Sequence, residues 1–420
     1  MKKYNARLKA SFHKGELLPY NLKNNNLSGF SKRSTGREGF GPQELKFSVL
    51  WLQSEDEKIL LITIDVLYIS DYIFEVIYEY VKSKFNFKKS SLFISATHTH
   101  SAPNVSWGLQ GSIDNDYLAY LVCVVKTAIL KTSKNLSVVK LTYNKRRVEG
   151  NSIVFRRRYG LDIKKLFFLK KMLMLPNESK VIDNYCRSIN VNFNEKKVVL
   201  FNVSCHPVFS NSIFSSSDFP GEVCELIEKG KNVEACFFQG WCGDIRPNIT
   251  SKNKKKNLLN YMKSFFNGDV FVSPSIIDFN VFCERVLSSV FGLKCLDLNG
   301  EIIRSQNHEF NVKSVCGGTE KKIILNLAKI DKVIMISINA EISNEYIVEL
   351  SCLFSDYDII PIGCANGMIG YLPYPEHFNE GGYEVDSFKN YGWQSKISME
   401  SLIYSKEMMQ ESIKSIIHNG

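Results

Sequence analysis

At 420 residues, 44% of them hydrophobic and 23% charged, the chain can bury a substantial core, which excludes an intrinsically disordered protein and a small disulfide-stapled scaffold. The 53 basic residues set against 43 acidic ones give a formal charge of +10. This mixed surface with a basic bias suits an anionic substrate and argues against nucleic acid as a partner.

The first ten residues, 1–10, carry charge without the apolar stretch that a secretion signal needs, so a cytoplasmic location is expected. The runs 58–69 (KILLITIDVLYI) and 91–97 are short and β-branched, as buried strands are. Helical spacing follows from Tyr117 to Lys131, with Asp114 and Asp116 placed to cap it. Strand patterning returns over 138–143 and 197–205, then a helix is predicted from Phe219 to Lys229, after Asp218 and with Pro220 in its first turn. Strands are predicted again at 233–239 and 332–340, and a last helix at 399–417. Residues 251–292 read as an insertion: a polar, basic break (SKNKKKN, 251–257) leads into helical segments around 258–266 and 276–291. A solvated loop with a packing helix fits it more readily than a lid.

Strands alternating with helices predict an α/β or mixed α+β architecture, with a mostly buried sheet and a single domain spanning 1–420. No run of 18 apolar residues occurs, so no stable membrane insertion is expected. The 11 cysteines are scattered singly with no CxxC pair, which indicates neither a disulfide framework nor a cysteine zinc site.

Of the seven histidines, three fall in two motifs at the carboxyl ends of apolar runs. The first is ATHTHSAP, residues 96–103. Residues two apart on a strand point to one side, so His98 and His100 are expected to face a common cleft, as one metal ligand and its neighbour or as a hydrogen-bonded pair. The second, SCHP, ends the run 197–205, where His206 suits either a ligand or a hydrogen-bonded strand-edge residue. SDFPG (217–221) and the glycine-punctuated turn GWCGDIRPN (240–248) follow at further strand ends, where open α/β sheets place their sites.

Taken in order, THTHSAP, SCHP with SDFPG, GWCGDIRPN, Asn339-Ala340-Glu341 and Gly381-Gly382-Tyr383-Glu384-Val385 resemble the signature of the neutral/alkaline (non-lysosomal) ceramidase family, in its N-terminal catalytic domain. The likeness extends to Gly29-Phe30, to GPQEL at 41–45, to Asp65 and to Phe155-Arg156-Arg157-Arg158-Tyr159, and so covers nearly the whole chain. It implies a neutral-ceramidase-like fold with a metal site at strand ends, in a zinc-dependent amidase. By the resemblance, His98, His206 and Glu341 hold Zn2+, and a tyrosine near GGYE, here Tyr383, completes the set. Phe378 stands where ceramidases have a further tyrosine, which leaves open which tyrosine serves.

The larger departure is Arg246, which occupies the position of the family's nucleophilic serine. A guanidinium cannot attack a carbonyl, but it binds carboxylates and phosphates. Water activated by zinc is then the expected nucleophile, with His100, or else Asp244, moving the proton. His100 equally suits a purely orienting role. Arg157 aligns with an arginine beside the family's reaction centre, placed for an oxyanion or a substrate hydroxyl, although three consecutive arginines also suit a solvated strand end. Asp65 reads as a buried orienter.

The expected function is hydrolysis of an N-acyl amide in a small polar or anionic substrate; the further C-terminal β-sandwich of ceramidases is not expected. The alternatives are a true ceramidase acting on N-acylsphingosine and a non-catalytic, metal-containing ligand-binding homologue. The oligomeric state is left open.

Overall fold

The computed structural model describes residues 8–17, 27–30, 33, 43–106, 112–162, 169–253, 258–292, 295–298 and 303–418. Residues 1–7, Gly41, Pro42 and the basic positions 254–257 lie outside them.

Strand Lys58–Ile64 is buried over all but its first residue, and alternation divides its side chains between two cores. Leu60, Ile62 and Ile64 face helices Asp71–Phe85 and Asn115–Thr132, meeting Phe74, Ile77, Leu121 and Val125. Ile59 and Leu61 face the other way, onto Val198, Leu200 and Cys236 of a second sheet and Met335 and Ile360 of a third. The first sheet runs parallel to Leu92–Ala96 on one side and antiparallel through Leu45–Gln53 and Lys9–Leu17 to Ser137–Val138 on the other. The second sheet orders Val233–Gln239, Lys197–Val203, Tyr185–Asn192, Lys140–Arg147 and Leu296–Leu298, its first two strands parallel. Helices Asp218–Glu228 and Ile276–Val290 cover its outer face through Phe219, Val223, Phe279, Phe282 and Val286. The result is a mixed α+β fold in which two sheets stack face to face between helical layers.

The third sheet, Ile303–Lys313, Glu320–Ile330, Val333–Ile338 and Asp358–Ile362, packs under helix Met399–His418. A three-stranded sheet (Ile245–Pro247, Ile153–Leu161, Lys170–Asn177) and the pair Glu341–Ile342 with Tyr371–Leu372 complete the set.

The predicted elements differ from the observed ones mainly at their ends, while strands such as Lys9–Leu17, Leu45–Gln53, Tyr185–Asn192 and Glu320–Ile330 and the helix Asp71–Phe85 are not predicted from the sequence. The run 58–69 is strand only to Ile64, because its last residues turn into the Asp71–Phe85 helix, which Ser70 caps by accepting from the Ile73 amide. Asp114 alone caps the Asn115–Thr132 helix. Within the insertion, Ile276–Val290 is a core helix, whereas Leu258–Asn267 leaves Tyr261, Met262, Phe265 and Phe266 exposed. Among the described residues no helix is long and apolar enough to cross a membrane.

Four strands, Leu92–Ala96, Lys197–Val203, Val233–Gln239 and Val333–Ile338, end within a few residues of His98, His206, Cys242 and Glu341 respectively. Their carboxyl ends build the site.

Candidate metal centre

His98 lies two residues beyond its strand and adopts φ 65°, so a left-handed turn, and not strand alternation, sets its direction. The turn is held by the Thr97 and His98 amides, which donate to the carbonyls of Ile64 and Val66 at 2.9 and 3.1 Å. Nδ1 of His98 is 2.9 Å from the carbonyl of Leu67, and Nδ1 of His206 is 2.8 Å from that of Ile245. A carbonyl only accepts, so both Nδ1 atoms carry a proton, and in the neutral ring each Nε2 offers a lone pair.

These lone pairs meet a carboxylate. Oε1 of Glu341 is 2.7 Å from His206 Nε2 and 3.6 Å from His98 Nε2, while Oε2 accepts from the Tyr68 hydroxyl at 2.6 Å. All three side chains are buried, and His98 Nε2 has no hydrogen-bond partner among the described residues. Burial, then Arg156, pushes the His206 pKa down to about 4. Burial opposes charge on both other groups, yet Cys364 and Glu341 hold His98 well above its usual value, and the two histidines hold Glu341 well below its own. Two imidazoles and a carboxylate packed together out of water require a compensating positive charge, supplied by a proton on His98 or by a bound cation. Ligands about 2.0–2.1 Å from a tetrahedral ion lie about 3.3 Å apart, and the observed 2.7 and 3.6 Å bracket that spacing. The residues present fit a divalent metal.

His100 joins the cluster, its ring centroid 5.0 Å from His98 and 5.8 Å from His206. Burial and those two imidazoles keep its pKa well below the usual value, so it is neutral. Gly29 passes over it at φ 102°, where an added Cβ would come within 2.7 Å of the ring. Gly29→Ala is therefore expected to destabilise the fold by about 1–3 kcal/mol and to displace His100 while metal content is retained. Urea unfolding and metal analysis on that variant check this.

The arginine run is irregular in the strand: its pairing with Lys170–Asn177 shifts register between Phe155 and Arg157, and Arg156 and Arg157 both reach Glu384. Arg156, which the sequence did not single out, turns to the centre: Nη1 lies 3.4 Å from His206 Nε2, Nη2 donates to the Gly243 carbonyl and the Tyr371 hydroxyl, and Nε donates to Glu384. Arg157 is equally buried but binds Glu384, Glu380 and the Gly381 carbonyl. Period-2 alternation could not have singled out Arg156, because the irregularity in the pairing falls at that residue.

Tyr383 is 47% exposed, its ring 5.5 Å from the Arg156 guanidinium. The buried phenols near Glu341 are Tyr68 and Tyr371, the latter its register partner across the Glu341–Ile342 and Tyr371–Leu372 pair. Asp244 is buried and groups with Glu345 and His377, not with the histidine cluster. Its Oδ1 accepts from the Asn344 amide, and burial pushes its pKa up to about 6. Asp65 accepts from Thr97 and from the Lys46 amide.

Arg246 sits one residue beyond Ile245, whose carbonyl holds His206. Its guanidinium lies 4.3 Å from the Phe271 ring centroid, with Nη1 3.7 Å from Met174 Sδ. It lines a cleft of ≈ 420 Å³ with Lys171, Lys263 and Asn267. Among the described residues no carboxylate pairs with it, and burial together with Arg156 lowers its pKa to about 10.

No protein-family model matches the chain, and no curated protein matches it. Solved structures do. The neutral ceramidase of Pseudomonas aeruginosa superposes with a TM-score of 0.73 at 11% identity, over 98% of this chain and 74% of that one. A ceramidase complexed with C2 gives 0.72 at 11% identity, over 99% and 76%. The chain has the neutral ceramidase fold.

Proposed function

We propose that this protein is a zinc-dependent hydrolase of amide bonds, acting on a small N-acyl substrate with an anionic end. The observation that carries this is the convergence of His98 Nε2, His206 Nε2 and Glu341 Oε1 in a buried cluster. Two imidazoles and a carboxylate suit zinc. The fold neighbours are ceramidases, which supports an amide as the target.

Bound there, a divalent ion supplies Lewis-acid polarisation of the scissile carbonyl and brings the pKa of water toward neutrality. The chain's own groups do the rest. Tyr68 holds Glu341 in place from its second oxygen. His100, neutral and within the cluster, takes the proton of the attacking water and later delivers it to the leaving amine. Arg156, turned toward His206, faces the negative charge that develops on the carbonyl oxygen, the task that the family resemblance implied for Arg157. If a phenol completes the donor set, Tyr371, buried and in register with Glu341, is better placed than the half-exposed Tyr383. Asp244, occupied by the Asn344 amide and grouped with His377, holds the turn.

Arg246 has a cleft beside it, lined also by Lys263 and by Lys171 paired with Asp162, and no carboxylate within ion-pair distance among the described residues, which favours recognition of a substrate carboxylate or phosphate over a structural ion pair. Arg246→Ser is expected to raise KM about 10- to 150-fold, the equivalent of a lost charge-assisted contact, with metal content unchanged. An unchanged KM with a lower melting temperature would show the arginine to be structural. The overall reading is tested by following carboxylate release from N-acyl amino acids and N-acyl amino-sugar phosphates, with and without chelation of the metal. Turnover of ceramide in detergent in place of these compounds would overturn the substrate assignment.

A further inference from the structure

We infer that Cys242 is a further protein donor to this centre, so that the ion is held by two imidazole nitrogens, a carboxylate oxygen and a thiolate sulfur. The inference rests on the metal-centre reading above. Cys242 Sγ and one ring nitrogen each of His98 and His206 all lie within 4.8 Å of one another. The thiol is free, and the residue is 1% exposed. His98 Nε2 is fully buried and has no hydrogen-bond partner among the described residues.

The turn that carries the thiol is fixed at both ends. The Ile245 amide donates to the Cys242 carbonyl at 2.9 Å, and the Gly243 amide donates to the Ile342 carbonyl at 2.8 Å. The second bond ties the turn to the strand of Glu341. The approach is so close that a Cβ on Gly243 would lie 2.7–2.8 Å from the carbonyl oxygens of Ile342 and Glu341. A movement of Cys242 away from the centre would therefore have to carry the Glu341 strand with it. A second sulfur, Cys364 Sγ, is 3.5 Å from His98, but on Nδ1, the nitrogen that faces away from the convergence point. It serves as an internal control.

A sulfur donor has chemical consequences. Thiolate is a soft ligand, so the set disfavours magnesium and calcium and favours zinc, cobalt(II) or cadmium. The thiol loses one proton when it binds the ion, and the anionic sulfur makes a centre with Glu341 less Lewis-acidic than one with neutral donors alone. Sulfur also makes the centre oxidisable: a peroxide converts the thiolate to a sulfenate, itself being reduced to water, and weakens the hold on the metal.

The test is cobalt(II) substitution of the full chain, read by absorption. The expected result is a sulfur-to-cobalt charge-transfer band in the near ultraviolet together with visible ligand-field bands. Cys242→Ser should keep the ligand-field bands, lose the charge-transfer band and bind cobalt at least about tenfold more weakly. Cys364→Ser should keep both. Visible bands without a charge-transfer band in the unmodified protein, or a band lost only in Cys364→Ser, would overturn ligation by Cys242 and leave the metal centre standing. Failure of the folded chain to take up cobalt at all would overturn both. Because the spectrum of the unmodified protein already decides the question, poor folding of Cys242→Ser does not blunt the test.

Discussion

Replacing His206 with alanine is expected to empty the metal centre, lowering metal affinity at least about 100-fold and leaving well under one ion in ten chains after purification. His206 is the tightest node of the cluster, with Nδ1 on the Ile245 carbonyl and Nε2 2.7 Å from Glu341. Its loss removes one donor and frees the carboxylate it faces. His98→Ala should act alike, whereas Glu341→Gln, which keeps shape but removes charge, should weaken binding without abolishing it. Metal analysis of the purified variants beside circular dichroism checks this. Full occupancy in a folded His206→Ala protein would remove the centre as drawn.

Glu384→Gln is expected to be the most destabilising conservative change near the site, by about 3–5 kcal/mol. Glu384 is 4% exposed and accepts from both Arg156 and Arg157, which are themselves buried. Neutralising it leaves two buried guanidiniums with one carboxylate, Glu380, which reaches only Arg157. Burial raises the Glu384 pKa, but Arg156 and Arg157 more than offset it and hold the group below the ordinary value of 4.5. A lowered folded pKa means that this stabilisation is present above about pH 4.5 and is lost as the pH falls through the folded value. Urea unfolding of both proteins between pH 7 and about pH 3 should show the gap narrowing toward the acid end. An equal gap at every pH would show that packing, not charge, supplies the difference.

Arginine runs illustrate the limit of local reading. Phe155 to Tyr159 is legible as a strand bearing three cations, but its pairing is irregular at Arg156, Arg156 and Arg157 share Glu384, and composition says nothing about which of them meets the histidines. The same holds for Tyr68, which lies inside an apolar run and reads as core, yet bonds a carboxylate 273 residues away. Cys242 stood alone in a sequence without CxxC, and a donor supplied singly from a separate strand leaves no spacing to recognise.

What the sequence determined by itself was local. The apolar runs marked some of the buried strands and the mixed α+β class. The turns after them, with their histidines, glycines and prolines, marked strand ends as the place for a site, and the ordered motifs pointed to the fold that the superpositions show. Tertiary structure alone decided which atoms converge. The left-handed turn at His98, the carbonyls of Leu67 and Ile245 that choose each imidazole's tautomer, and the approach of Glu341 all depend on contacts between segments 30 to 270 residues apart. Periodicity fixes which face a residue occupies along its own element; where four separate strands stop relative to one another is a property of packing, and that is where the chemistry lies.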